Sequence, residues 1–217
     1  KVPPPKLCPM CRFQRRAAFR NERKLFRAKS ALSGQDIFSL IPPEAGYALY
    51  SDEEWRSDVW DPLDHGREMD FSRPFLEQLL ELSKAVPHFN KSVLGMVDSD
   101  YCANAGWLKN CYLMFNSNVT EDSAYGNGID NCKNCYDNSH LQKCERCYES
   151  FWLTNCYATH FSSECEDCAN VWFSKNCRGC QNCFGCVNLR MKKYCIWNEQ
   201  YSKEEYETKI REMGLDR

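Results

Sequence analysis

The sequence predicts a mainly β fold, in which a parallel β-solenoid with 21-residue rungs follows an N-terminal α+β cap. Fourteen of the 16 cysteines in the 217-residue chain lie between Cys102 and Cys195. In that stretch, every gap between successive cysteines is a multiple of three, namely 3, 9 or 21. No helical spacing of three and four runs through the region, and a fixed period without such spacing indicates stacked β rungs.

A 21-residue register brings similar side chains into columns. When rows begin at residue 102, the first column contains Cys144, Cys165 and Cys186. Stacked rungs lie about 4.8 Å apart, so we expect these three cysteines to stack in adjacent rungs. A second column contains Asn134, Asn155 and Asn176. Because asparagine tolerates positive φ and can stack as a ladder, this column is predicted at a turn.

The cysteines allow three interpretations. Small thiols fill a narrow core well, since free cysteine is among the most often buried residues. Disulfides or an iron-sulfur cluster are a second explanation. Zinc is the third, because stacking the C-x-x-C pairs Cys144/Cys147 and Cys165/Cys168 in adjacent rungs would bring four thiolates together. We favour packed free thiols over the other two interpretations, and zinc is the cofactor that the pattern predicts if a metal is bound.

A further C-x-x-C pair, Cys8 and Cys11, opens the chain and is typical of a zinc knuckle. A structural zinc site needs four ligands, and the next cysteine in the sequence is Cys102. Either a pair of ligands upstream of Lys1 completes the site, or a cysteine of the solenoid does so, or the knuckle holds no metal; we favour the first.

The segment after this knuckle, within residues 1–29, is predicted to form a basic helix. Its arginines recur at helical spacing and would form one stripe, consisting of Arg12, Arg16, Arg20, Arg23 and Arg27. Residues 1–29 have a net charge of +9, whereas residues 51–81 have a net charge of −7. The stripe therefore either binds an anionic partner such as nucleic acid or pairs with the acidic segment around Asp58, Asp61 and Asp64.

Four further regions complete the predicted organisation. Residues 30–60 should contain a β-hairpin formed by the runs 36–41 and 47–50. Residues 61–90 contain a linker and a helix that ends near Ala85, before Pro87, and would cover an open end of the solenoid. The solenoid occupies residues 91–206, and residues 207–217 form a tail.

Several motifs resemble those of a group of cysteine-rich zinc-ribbon and repeat proteins encoded in metagenomic bacterial genomes. The matching motifs are CPMCRFQRR (Cys8–Arg16), RNERKL (Arg20–Leu25), WRSDVWDP (Trp55–Pro62), DFSRPF (Asp70–Phe75) and CRGCQNCFGCVNL (Cys177–Leu189). The resemblance covers nearly the whole chain. It implies a zinc ribbon in the N-terminal part, and it implies no particular biochemical activity.

This chain departs from that group at the ribbon itself. The resemblance implies two C-x-x-C pairs around the hairpin, but here those positions are Ser30, Ser33, Ser51 and Glu54. Neutral hydroxyl groups are poor zinc ligands. We therefore expect a ribbon-like hairpin that contains no metal and is held together by packing.

The function predicted from these features is that of a non-enzymatic binding or scaffold protein, with nucleic acid as the first candidate partner. One rival is a carbohydrate-active β-helix enzyme, which would use a carboxylate cluster on one outer face. The available carboxylates are Asp122, Asp130, Glu145, Glu164, Glu166 and Asp167. The other rival is a structural or surface protein that forms homo-oligomers by stacking its solenoids.

Two classes are disfavoured. The four histidines are scattered along the sequence, with no nucleophile beside any of them, which argues against histidine catalysis. No run of 18 apolar residues occurs, so we expect no membrane partner. The compartment stays open, with the cytoplasm favoured.

Overall fold

The computed structural model describes residues 4–19 and 21–215, and the chain divides into two compact units, residues 1–92 and 93–217. The first unit contains α1 (Pro9–Ala17), β1 (Phe26–Lys29), β2 (Asp36–Ser39), β3 (Leu49–Tyr50), α2 (Asp52–Arg56), α3 (Phe75–Ala85) and β4 (His88–Phe89). It also has 3-10 turns at Pro43–Ala45 and Pro62–His65.

The second unit is a parallel β-solenoid of about nine turns that ends in a helix, which confirms the predicted fold class. Its early strands are β5 (Val93–Leu94), β6 (Ala105–Lys109), β7 (Tyr112–Phe115), β8 (Asn118–Glu121) and β9 (Ala124–Asn127). Its later elements are β10 (Ala169–Trp172), β11 (Gln181–Phe184), β12 (Lys193–Ile196), β13 (Glu199–Gln200) and α4 (Lys203–Glu212).

The solenoid has a 12-residue coil. Leu108 lies opposite Thr120, and Val171 lies opposite Cys183, which in turn lies opposite Cys195. Isolated parallel bridges with the same 12-residue offset join the coils between β9 and β10. The predicted 21-residue repeat was therefore wrong, although the parallel stacking was right.

Each coil consists of four triplets, which give it four short sides. Within a triplet the first residue points inward, the second pairs with the neighbouring coils, and the third turns the chain. In the triplet 102–104, Cys102 is buried and Asn104 has a φ of 51°. Between them, the N–H of Ala103 donates to the carbonyl of Met114 at 3.2 Å. The same division of roles recurs along residues 102–188, except that Lys143 and Asn155 do not have the positive φ of the other third residues.

The 12-residue coil separates the cysteines that the 21-residue register had aligned. Cys144 occupies the same column as Cys132 and Cys156, whereas Cys165 lies in a different column, between Leu153 and Cys177. A 21-residue step equals one coil plus three sides, so it does not return to the column in which it began. Cys144, Cys165 and Cys186 consequently do not stack on one another.

The predicted asparagine ladder fails for the same reason. Asn155 donates to the Oδ1 of Asp167 at 2.7 Å, and Asn176 donates to the Oδ1 of Asn188 at 2.7 Å. Each side chain therefore bonds to the residue 12 positions later. The expected backbone conformation is present at Asn134, with a φ of 56°, and at Asn176, with a φ of 51°, but not at Asn155.

The inward side chains also satisfy backbone groups of the core. The Oγ of Ser123 accepts a hydrogen bond from the N–H of Cys135 at 3.0 Å and donates to the carbonyl of Glu121 at 2.7 Å. A thiol can do the same, because the Sγ of Cys102 accepts from the N–H of Met114 at 3.4 Å. Hydroxyl and thiol groups both donate and accept, which suits them to a narrow core with inward N–H groups.

At its C-terminal end, the solenoid contacts α4, a helix that the sequence analysis had assigned partly to a tail. Ser202 and Glu205 form a capping box at its start. Tyr206 is buried, and its ring lies 5.8 Å from that of Tyr194 in β12. The signal for this helix was therefore present in the sequence as the S-x-x-E motif.

The predicted cap helix corresponds to α3, which ends at Ala85 as expected. Its apolar side chains Phe75, Leu76, Leu79 and Leu80 are exposed. That this helix covers an end of the solenoid stays a prediction.

In the first unit, the predicted hairpin has a different partner. β2 pairs with β1 in an antiparallel hairpin, and β3 pairs with β4 in parallel. The segment that becomes β1 had been assigned to the basic helix. Asn21 explains the change, because its Oδ1 accepts from the N–H of Lys24 at 3.0 Å and its Nδ2 donates to the carbonyl of Leu40 at 2.8 Å. Such local bonds favour a turn over a continuing helix.

The four positions that would hold zinc in a ribbon meet in space. Ser30 donates to the Oε2 of Glu54 at 2.5 Å, and the N–H of Ser51 donates to the same oxygen at 2.8 Å. The N–H of Ser33 in turn bonds to the Oγ of Ser30 at 3.3 Å. Hydrogen bonds centred on a carboxylate thus connect the two loops.

Burial alone would raise the pKa of Glu54, but hydrogen bonds from Ser30, Ser33 and Ser51 outweigh it and lower the pKa to about 2.

Replacing Glu54 with Gln should therefore destabilise the first unit by about 1 kcal/mol at pH 7. The depressed pKa means that the stabilisation is complete above the usual carboxyl pKa of about 4.3 and is lost as the pH falls toward 2. Chemical denaturation at several pH values measures this dependence. Glu53→Gln, at the exposed neighbouring position, is the control, and equal stability of the two variants at pH 7 would contradict the carboxylate's role.

Backbone strain at the corners of the coils gives a second prediction. Val119 turns the chain with a φ of 49°, a region that β-branched residues rarely adopt. Val119→Asn should stabilise the solenoid by about 1 kcal/mol, because asparagine adopts this region at lower cost. Val187→Asn is a matched control. Val187 is 48% exposed and Val119 is 53% exposed, but Val187 pairs with the neighbouring coil and does not turn the chain. Thermal unfolding should show a gain only for Val119→Asn, and a loss there would refute the strain argument.

Candidate metal centre

A column of cysteines runs through the middle of the solenoid core. Because the coil repeats with a 12-residue offset, one inward column contains Cys132, Cys144, Cys156, Cys168 and Cys180. The adjacent inward column contributes Cys135 and Cys147. All seven thiols are buried. The fold thus concentrates sulfur along two neighbouring sides.

Five of these thiols form two groups that meet at one residue. The Sγ atoms of Cys132, Cys135 and Cys144 lie within 4.8 Å of one another, and so do those of Cys144, Cys147 and Cys156. We call these five residues the thiol cluster. Cys144 belongs to both groups, so it is the centre of the cluster.

Hydrogen bonds within the thiol cluster divide it into acceptors and donors. A hydrogen bond from the Cys132 thiol, with further ones from Cys144 and Cys147, lowers the pKa of Cys135. Hydrogen bonds from Cys144 and Cys147 likewise lower the pKa of Cys156, to about 5. Donation to Cys135 in turn raises the pKa of Cys132. Cys135 and Cys156 are therefore the members of the cluster whose pKa is lowered by neighbouring thiols.

This donor set suits a thiophilic ion. Thiolates select zinc, copper(I) and iron-sulfur clusters over hard cations such as magnesium. At a Zn–S distance of about 2.3 Å, the sulfurs of a tetrahedral site are about 3.8 Å apart. Sulfurs separated by up to 4.8 Å would therefore need to approach one another by no more than about 1 Å. The cysteine groups of the solenoid core could hold a metal ion.

The predicted four-thiolate set is only half assembled. Cys144 and Cys147 are in the thiol cluster, but Cys165 and Cys168 do not lie one coil away from them. Cys165 stacks on Cys177 in another column, and its thiol donates to the carbonyl of Ser163 at 3.3 Å.

Three members of the thiol cluster were not predicted as metal ligands, namely Cys132, Cys135 and Cys156. The sequence does indicate that Cys132 and Cys156 share a column with Cys144, because they belong to a run of five cysteines at a 12-residue interval. Cys135 had the C-x-x-C spacing that it shares with Cys132. The coil length was needed to recognise which of these pairs meet.

The knuckle cysteines lie at the start of α1. The Sγ of Cys8 caps this helix and accepts a hydrogen bond from the N–H of Cys11 at 3.3 Å, which lowers the pKa of Cys8. Both cysteines are exposed. Within residues 4–19 and 21–215, the groups of three or more metal-ligand side chains fall in the thiol cluster and do not include this pair.

The predicted arginine stripe is divided among several elements. Arg12 and Arg16 lie on α1, which ends at Ala17. Arg23 lies in the turn that follows, and Arg27 lies in β1. Arg20 falls outside the described residues. A single helical stripe of five arginines is therefore not formed, and the basic surface of α1 consists of Arg12, Arg15 and Arg16.

No helix in the described part of the chain has the length and apolar character needed to cross a membrane.

The resemblance to zinc-ribbon and repeat proteins stays a prediction, because two comparisons with known proteins supply no relative. A scan against models of known protein families finds no match to this chain, and a search of curated proteins finds none either.

Proposed function

We propose that this chain is a non-enzymatic scaffold protein whose solenoid core binds a thiophilic metal ion, with zinc as the first candidate. The observation that supports the proposal is the thiol cluster, in which two buried groups of three sulfurs share Cys144. A solenoid provides a rigid frame for such a site, because the ligands lie on paired sides of consecutive coils.

The charge of the cluster is consistent with a divalent ion. Once ionised, Cys135 and Cys156 would bring two negative charges into the core, where unbalanced charge is costly. A zinc ion balances them and recruits further thiolates by displacing protons from neighbouring donors. Metal binding should therefore release protons.

The alternative is that the thiols only fill the core and satisfy its backbone. The Sγ of Cys144 donates to the carbonyl of Gln142 at 3.4 Å, as a serine hydroxyl does elsewhere in the solenoid. Serine or threonine occupies many equivalent inward positions, including Thr120 and Ser123. A cysteine-to-serine change in the core should thus preserve the fold, which makes such variants suitable tests of metal binding.

Replacing Cys144 with Ser removes the ligand that the two sulfur groups share. We expect protein purified and reconstituted with zinc under anaerobic, reducing conditions to bind about one ion per chain, and Cys144→Ser to lose at least about tenfold in affinity. Cobalt substitution should give the absorption of tetrahedral thiolate coordination in the unchanged protein but not in Cys144→Ser. Elemental analysis with free-thiol counting measures the stoichiometry.

Cys180→Ser is the matched control for that experiment. Cys180 lies in the same column as Cys144 and is equally buried, but it is outside both sulfur groups. This variant should keep its metal. If the unchanged protein binds no metal while all its thiols are reduced, the core-filling alternative is correct.

Nucleic-acid binding by the basic surface of α1 is a second candidate. The arginines of that surface, Arg12, Arg15 and Arg16, are exposed. Among the described residues, no salt bridge joins them to the acidic segment around Asp58, Asp61 and Asp64. This favours an external anionic partner over intramolecular pairing.

Replacing Arg12, Arg15 and Arg16 with Ala should weaken binding to single-stranded nucleic acid and flatten its salt dependence. The slope of log K against log salt should decrease by about 0.7 for each phosphate that the protein no longer neutralises. Thermal stability should change little, since exposed substitutions usually alter the free energy of unfolding by less than about 0.5 kcal/mol. Fluorescence anisotropy at several salt concentrations measures the slope.

The control removes equal charge from the solenoid surface, at Lys143, Arg146 and Lys175, which are exposed. It should leave the slope nearly unchanged. Equal effects of the two triple variants would show that binding follows overall charge and does not depend on α1.

A further inference from the structure

A surface cleft of about 550 Å³ lies on the outside of the solenoid, within residues 152–178. Its volume is in the range of small-molecule sites, roughly 300–1,000 Å³. The polar and aromatic side chains that line it are those of Trp152, Thr154, Glu164, Glu166, Asn176 and Arg178. They come from three consecutive coils, so the stacking of the solenoid fixes their spacing.

The cleft arises from a change of side-chain size along one outer column. This column contains His140, Trp152, Glu164 and Asn176, all with positive φ. The indole of Trp152 stacks on the His140 ring at a centroid distance of 5.5 Å and an interplanar angle of 9°. The next two residues in the column are smaller than tryptophan. One face of the indole is thus covered by His140, and the cleft lies towards the following coils.

The polar groups of the cleft offer acceptors and a donor around this ring. Glu164 and Glu166 flank the inward Cys165, so they bring carboxylates to the cleft from both sides of one corner. Arg178 pairs with Glu166 at 3.8 Å, one coil away. Two carboxylates and one guanidinium give the cleft a formal charge of −1, which disfavours phosphate groups and other anions.

We propose that this cleft binds a saccharide, a function distinct from metal binding in the core. The exposed indole, 59% accessible at Trp152, supplies a flat apolar surface for the C–H face of a sugar ring. Carboxylates accept hydrogen bonds from neighbouring hydroxyl groups, and the guanidinium donates to ring or hydroxyl oxygens. Small-ligand sites combine aromatic surfaces with a few convergent polar groups that fix the orientation of the ligand, and this cleft has both elements.

The test is isothermal titration with cellotetraose, chitotetraose, mannotetraose and maltotetraose. We expect at least one of them to bind with a Kd of about 1 mM or below. Trp152→Ala should weaken that binding at least about tenfold. Trp107→Ala is the matched control, because Trp107 is 58% exposed and also turns a corner of the solenoid, with a φ of 53°. The control variant should bind the saccharide as tightly as the unchanged protein does.

A second variant protects the test against a folding defect in Trp152→Ala. Glu164→Gln keeps the size of an exposed side chain, and it should weaken saccharide binding at least about fivefold with an unchanged melting temperature. The proposal is overturned if none of the four oligosaccharides binds with a Kd of about 1 mM or below. Equal losses in Trp107→Ala and Trp152→Ala would also overturn it. So would saturable binding of tetramethylammonium without any saccharide, which would assign the cleft to cations.

Discussion

The left-handed backbone conformation at nearly every third residue is the constraint on which the solenoid depends. A non-glycine residue in this conformation costs about 1–2 kcal/mol, and asparagine and aspartate adopt it more readily than others. The chain nevertheless places Trp107, Val119 and Phe161 there. The cost is offset by hydrogen bonds between coils, which each paired residue makes through its N–H and C=O groups. One coil alone has no such partners, so the coils stabilise one another as neighbours in a repeat protein do.

The same geometry determines the chemistry of the core. Four inward side chains per coil enclose a narrow interior, in which inward N–H groups such as those of Cys135 and Ser174 bond to a side chain of the preceding coil. Small groups that both donate and accept are therefore favoured, and serine, threonine and cysteine satisfy this condition. When cysteine fills two consecutive positions of one column and a neighbouring position of the adjacent column, as at Cys132, Cys144 and Cys135, three thiols approach within metal-binding distance. The thiol cluster is thus a direct consequence of how the core satisfies its backbone.

The sequence predicted the parallel solenoid because its cysteine gaps are multiples of three, the length of one side of a coil. It did not reveal how many sides close a coil, since any multiple of three keeps inward residues inward. The 21-residue repeat was prominent, yet closure after four sides depends on backbone geometry. For the site, Cys144 and Cys147 were anticipated, while Cys132, Cys135 and Cys156 required the correct coil length. In the first unit, arginine spacing suggested one helix, but the side-chain bonds of Asn21 favour a turn that local helix propensity does not reveal.

The triplet also sets the unit in which this solenoid can change length during evolution or engineering. A 12-residue insertion would add one whole coil and leave every column in place. An insertion of a single triplet would preserve the division between interior and exterior but rotate everything that follows by a quarter turn, which would shift one surface feature relative to another. Shorter insertions would instead turn the core side chains outward. Successful variants of this architecture should therefore differ in length by whole triplets, and the rotation at each insertion offers a way to rearrange the surface without redesigning the core.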